Sequence, residues 1–188
     1  EFHQHKRIIF NGDNYSSAWA EEAARRKLPN YPAAMDAIRV LKEDSKKAIF
    51  ARYGVYSLAE LDSRFEVSLE EYHRKIRIEG QIALEIARSM IIPVVADEYS
   101  RLAYALKLAS QDSLIAGVRG LRRSAEELGC GLDELYDKCD ALAEALKGLH
   151  EDIIAALADL RSVVDALEYR IDDSRWPLPK YREMLFIY

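Results

Sequence analysis

Apolar residues recur at steps of three and four over most of this chain, a spacing that predicts helices packed along one stripe. The first long run is Leu58, Leu61, Phe65, Leu69, Tyr72, Ile76, Glu79, Ala83, Ile86 and Met90. At about 1.5 Å per residue, a helix from Leu58 to Ile92 forms a rod of roughly 50 Å. Pro93 removes one backbone donor and is expected to kink the rod rather than end it. The pattern resumes at Leu102, Leu106 and Ala109, and after Gln111-Asp112-Ser113 a further helix is expected on Leu114, Val118, Leu121, Ala125 and Leu128. Gly129-Cys130-Gly131 is the expected break. Beyond it, Leu132, Leu135, Cys139, Leu142, Leu146, Leu149, Ile153, Leu157, Leu160, Val164, Leu167 and Ile171 predict one long helix. Such a helix needs a partner in water. The 58–128 segment supplies it by folding back as an antiparallel helical hairpin or bundle.

The punctuation fits that scheme. Asn11-Gly12-Asp13-Asn14 is a turn signal, and a short helix is expected from Ser16 or Ser17 to Lys27, closed by Pro29. Pro32 opens a segment running to about Tyr53, with a restart at Asp44-Ser45 and a stop at Gly54. Ser57-Leu58-Ala59-Glu60 is a capping box for the long helix. After Asp172-Asp173-Ser174, the prolines of Trp176-Pro177-Leu178-Pro179 predict an extended stretch. The apolar end, Met184 to Tyr188, is expected to dock on the helices or on a missing neighbour. The fold expected is all-α: long antiparallel helices in a hairpin or bundle, short helices and a loop at the N-terminus, and an extended Trp-Pro-x-Pro tail. Residues 1–56 are expected to be a linker with short helices, and 57–188 the long-helix bundle with its docked tail.

Composition narrows the function classes. With 49% hydrophobic and 31% charged residues, 188 residues can bury a core, and no apolar run reaches a membrane span or a signal sequence. The net charge of −5 resides almost wholly in 93–188, and the basic islands at 22–27 and 119–123 are short. Nucleic acid is therefore not an expected partner. Cys130 and Cys139 have no zinc or redox spacing, and reduced thiols in the cytoplasm are the plain reading.

Candidate chemistry is sparse. Glu70-x-x-His73 resembles half of a di-iron helix pair, but His150 follows Lys147 rather than a glutamate, so a solvated helix face is preferred to a metal site. His3 and His5 lack supporting ligands. Asn11-Gly12-Asp13-Asn14 has one glycine, too few for a phosphate cradle, and no nucleophile motif is present. Glu79 is the one carboxylate on an apolar seam. Ion pairing with an arginine or exposure at a helix end is the plain reading, and contact with a parent catalytic domain is the other. Arg25-Arg26-Lys27 and Arg122-Arg123 read as solvated faces or inter-domain ion pairs. No catalytic, cofactor-binding or metal residue is assigned.

Two signatures bracket these helices: His5-Lys6-Arg7-Ile8-Ile9-Phe10-Asn11-Gly12-Asp13-Asn14-Tyr15-Ser16 with Trp19, and Trp176-Pro177-Leu178-Pro179-Lys180-Tyr181-Arg182-Glu183-Met184-Leu185-Phe186. With Lys27-Leu28-Pro29-Asn30, Asp36-Ala37, Phe50-Ala51-Arg52-Tyr53-Gly54-Val55, Glu70-Glu71-Tyr72 and Ile78-Glu79, they resemble the carboxyl-terminal part of type III glutamine synthetases. Where that family carries Ile-Glu-Ala, this chain has Gly80, expected to loosen the helix locally.

The resemblance implies an ATP-dependent ligase that phosphorylates glutamate and lets ammonia displace the phosphate, aided by Mg or Mn. It places the catalytic groups in an upstream barrel whose motifs are absent here, so this part is expected to be inactive alone and to need no cofactor itself. The upstream barrel and sister subunits of a homo-oligomer are the implied partners. A start at Glu1 in a loop-like motif is read as that of a fragment. The alternative from another class is a free-standing helical interaction or oligomerisation module. A small metal-dependent helical enzyme, resting on Glu70 and His73, is the third reading.

Overall fold

The computed structural model describes residues 5–111 and 118–185, without the side chains of Tyr181 and Arg182. Every regular element among them is helical. The predictions touching His3, the 112–117 connection and Phe186–Tyr188 lie outside the described residues. The chain divides into two units, residues 1–72 and 73–188.

In the first unit a 3-10 turn at Lys6–Ile8 precedes α1 (Ser17–Arg25), α2 (Ala34–Arg39), a second 3-10 turn at Val40–Lys42, and α3 (Asp44–Arg52). The α3 terminus closes as its sequence predicts. Gly54 takes a left-handed φ of 61°, and the Val55 and Gly54 amides donate to the Phe50 and Ala51 carbonyls. At the end of α1 the left-handed place falls to Lys27, with φ 55°. A side chain there costs about 1–2 kcal/mol relative to glycine. Lys42 and Lys47 reach Asp62 on α4 (Leu58–Ile86), the latter at 2.7 Å.

The expected capping box starts α4. The Ser57 amide donates to the Glu60 carboxylate at 2.7 Å, and the Glu60 amide donates to the Ser57 hydroxyl at 3.2 Å. Helix then continues unbroken to Gln111, through a π turn at Ala87–Ile91 and α5 (Ile92–Gln111). The expected effect of Pro93 is thus resolved as a local widening. Its nitrogen cannot donate to the carbonyl four residues back, and the wider turn just upstream absorbs the mismatch. The Ser89 hydroxyl within that turn donates to the Glu85 carbonyl at 2.7 Å.

In the second unit α6 (Arg119–Ala145) packs between α5 and α7 (His150–Glu168). Both pairings are antiparallel. Tyr99 on α5 and Arg88 in the π turn before it face Gly129 and Asp140 on α6, and Lys138 and Gly131 on α6 face Asp159 and Leu167 on α7. The shared core includes Val95, Leu128, Leu135, Leu142, Ile153 and Leu167, all under 3% exposed.

Two breaks differ from the sequence reading. Gly129-Cys130-Gly131 does not end a helix, and α6 runs straight through it. The glycines serve close approach instead: a Cβ on Gly131 would lie 2.7 Å from Leu167 Cδ2, and one on Gly129 would lie 3.2 Å from Tyr99. The real turn falls within the expected single helix, at Leu146–Leu149, where Leu149 is exposed and Gly148 donates to the Ala145 carbonyl.

The tail also departs from a plain extended strand. Asp172 accepts from the Ser174 amide and hydroxyl, and the Arg175 and Trp176 amides return to the Asp172 carbonyl. That turn buries Trp176 and lays Leu178 against the core. Arg175 forms ion pairs with Asp97 and Glu98 of α5. A short α8 (Tyr181–Leu185) follows, with Met184 and Leu185 exposed, so as far as Leu185 the apolar end is not laid on the helices.

Candidate functional site

Of the sequence candidates, His73 gains the most from folding. It lies half-buried on α4, and its ring stacks on His150, the first residue of α7, with centroids 4.2 Å apart. Burial pushes the His73 imidazole below its ordinary pKa, and His150 and Arg77 push it the same way. Glu151 Oε1 stands 3.9 Å from His150 Nε2. Stacked imidazoles present faces to each other, whereas ligation requires ring nitrogens converging on one point. Glu70 is exposed on its helix, and among the described residues no three His, Cys, Asp or Glu side chains gather as a metal site. The solvated face expected for His73 is thus corrected to a packed one.

Glu79 is also corrected. It is exposed, and the buried residue is its neighbour Gly80. The seam slips by one residue here because Gly80 lies against α7 and the turn before it. A Cβ there would come within 2.9 Å of Ile153 Cγ2 and 3.0 Å of Leu146 Cδ2. Gly80 does not loosen α4, which continues through it. The glycine permits an approach that alanine would obstruct.

The thiols lie apart in character. Cys130 is exposed, while Cys139 is buried, and desolvation raises the pKa of its thiol. An open groove of about 360 Å³ between α6 and α7 is lined by Glu126, Cys130, Glu134, Leu167 and Arg170. It contains no nucleophile–base pair. The basic islands behave as solvated faces: Arg123 pairs with Glu127 one turn along α6, and Arg25 with Glu22 on α1.

The first unit holds a feature that sequence reading missed. Lys6, Arg7, Ile9, Phe10, Asn11, Gly12, Arg25 and Arg26 surround an open cleft of about 870 Å³. Arg26 anchors it by donating to the carbonyls of Arg7 and Ile9, at 3.0 and 2.6 Å, while bonding Glu22. Those arginines hold the Glu22 carboxyl down to about 2, Arg25 first and then Arg26. Two basic groups nineteen positions apart carry no local signal of this meeting.

No described cluster has the converging polar groups of a catalytic centre. Residues 1–110 match the model of the glutamine synthetase C-terminal domain family. A glutamine synthetase of Butyrivibrio fibrisolvens is 31% identical over 97% of this chain, and one of Bacteroides fragilis is 30% identical over 95%. A type-3 glutamine synthetase of Dictyostelium discoideum is 28% identical over 98%. The chain spans only 27–28% of the length of these relatives. The similarity to them continues beyond residue 110, through α6, α7 and the tail.

Proposed function

Because this chain belongs to the glutamine synthetase C-terminal domain family, we propose that it is the helical, assembling part of a longer type III enzyme that joins glutamate and ammonia at the expense of ATP. The carboxylate and phosphate chemistry, with its Mg or Mn, is done in an upstream barrel of that polypeptide. The donors present here do not fit such a metal, since no three ligating side chains converge among the described residues, and no step is assigned to them. Sister subunits of a cytoplasmic homo-oligomer are the further partners. No helix among the described residues is long and apolar enough to cross a membrane.

The observation that carries this reading is the poverty of the first unit's own core. Among the described residues it buries only Ala23, Met35 and Leu61, while Tyr15, Tyr53, Val55 and Leu58 stand more than half exposed. Apolar surface of that extent is expected to be covered. The rest of a longer polypeptide, about three-quarters of the length of the relatives, is the cover proposed. The test is to express the longer polypeptide with and without residues 57–188 and to measure its mass by light scattering. Loss of the oligomer on truncation supports the assembly role, and an unchanged oligomer overturns it.

A further inference from the structure

We infer that the cleft between the 3-10 turn and the end of α1 is a binding site for a small, multiply charged oxyanion of the phosphate class. This does not rest on the role proposed above, since it concerns only side chains within residues 6–26.

Four cationic side chains line the cleft: Lys6, Arg7, Arg25 and Arg26. Among the described residues the one acid bonded to them is Glu22, which is spent on Arg25 and Arg26 together. Asp13 is turned to the Tyr15 amide and the adjoining turn. Lys6 and Arg7 form no ion pair among the described residues, and both are exposed. A net excess of positive charge therefore faces one space.

The walls are fixed before any ligand arrives. Arg26 holds the main chain at Arg7 and Ile9, which fixes the backbone from which the Arg7 side chain projects. The Phe10 ring lies 5.2 Å from Trp19, and its edge closes over Gly12, where a Cβ would meet it at 2.6 Å. Clustered cations with little countercharge favour an oxyanion able to accept several charge-assisted hydrogen bonds. A monoanion would leave part of that charge unanswered.

Isothermal titration of the chain with pyrophosphate, near physiological ionic strength, tests this. One saturable site is expected, and replacing both Lys6→Gln and Arg7→Gln should weaken it about tenfold or more. Arg161→Gln, at an exposed position of α7, should leave it unchanged. Absence of a saturable site overturns the proposal, as a merely solvated cleft or one reserved for an acidic protein segment would give. Equal binding by the double variant overturns it as well. Should that variant unfold, amide shifts in the unaltered chain decide. Shifts centred on Gly12 and the Trp19 indole support the site, and shifts centred elsewhere refute it.

Discussion

His73 of α4 and His150 of α7 lie ring over ring, 4.2 Å between centroids and 29° from parallel. Burial disfavours the charged form of His73, and the neighbouring His150 and Arg77 add to that effect. A folded-state pKa below the unfolded one means that the unfolded chain binds the proton better. Stability from His73 is therefore full above its ordinary value of 6.5 and falls as pH drops below it. Urea unfolding at pH 7.5 and 5.5 should show a loss at the lower pH that His73→Phe reduces. Equal loss in the variant would place the acid sensitivity elsewhere.

Gly80 and Gly120 make opposite predictions although both are helical. Gly80→Ala pushes a methyl against Ile153, whose β-branched side chain has little rotamer freedom to retreat. Overpacking of about 1–3 kcal/mol should outweigh the gain of about 1 kcal/mol in helix propensity. A Cβ on Gly120 meets nothing within 4 Å, so Gly120→Ala should stabilise by up to about 1 kcal/mol. Thermal unfolding of the two variants gives the signs directly.

Trp176 and Arg175 fasten the tail in different ways. Trp176 is 8% exposed in the core, so Trp176→Ala should cost about 3–5 kcal/mol. Arg175→Ala leaves the half-buried Glu98 without its tail partner. Hydrogen exchange in that variant should rise at residues 172–180 before it rises in α6. Uniform exchange across both would show that the tail adds nothing local.

Ser57 and Glu60 cap the longest helical run, and the Ser57 amide, then its hydroxyl, hold the Glu60 carboxyl below its ordinary pKa. Ser57→Ala should cost about 1 kcal/mol. The carboxylate contribution should be present above the ordinary value of 4.5 and fade as pH falls below it. Helicity measured from pH 6 to pH 3, with Glu60→Gln for comparison, checks both.

The helices, the capping box and the Gly54 stop were legible because their signals are local: a period, a cap, a left-handed turn. The glycines misled where distance in sequence mattered. Gly129 and Gly131 look like a break, yet Tyr99 and Leu167 use the space they leave. Gly148 looks no stronger and sits at the true turn. Glu79 fell on the seam only by counting, because the space Gly80 leaves for Ile153 and Leu146 decides which residue of α4 is buried there. The basic cleft and the histidine stack unite residues far apart in the chain, which a period cannot report.

The role proposed for these helices is to assemble an enzyme and to do none of its chemistry. The direct measurement incubates the purified chain with glutamate, ammonium, ATP and Mg or Mn and follows glutamine and phosphate release. No turnover above a heat-treated control is expected. Glutamine formation that co-purifies with the chain and scales with its concentration would contradict the claim.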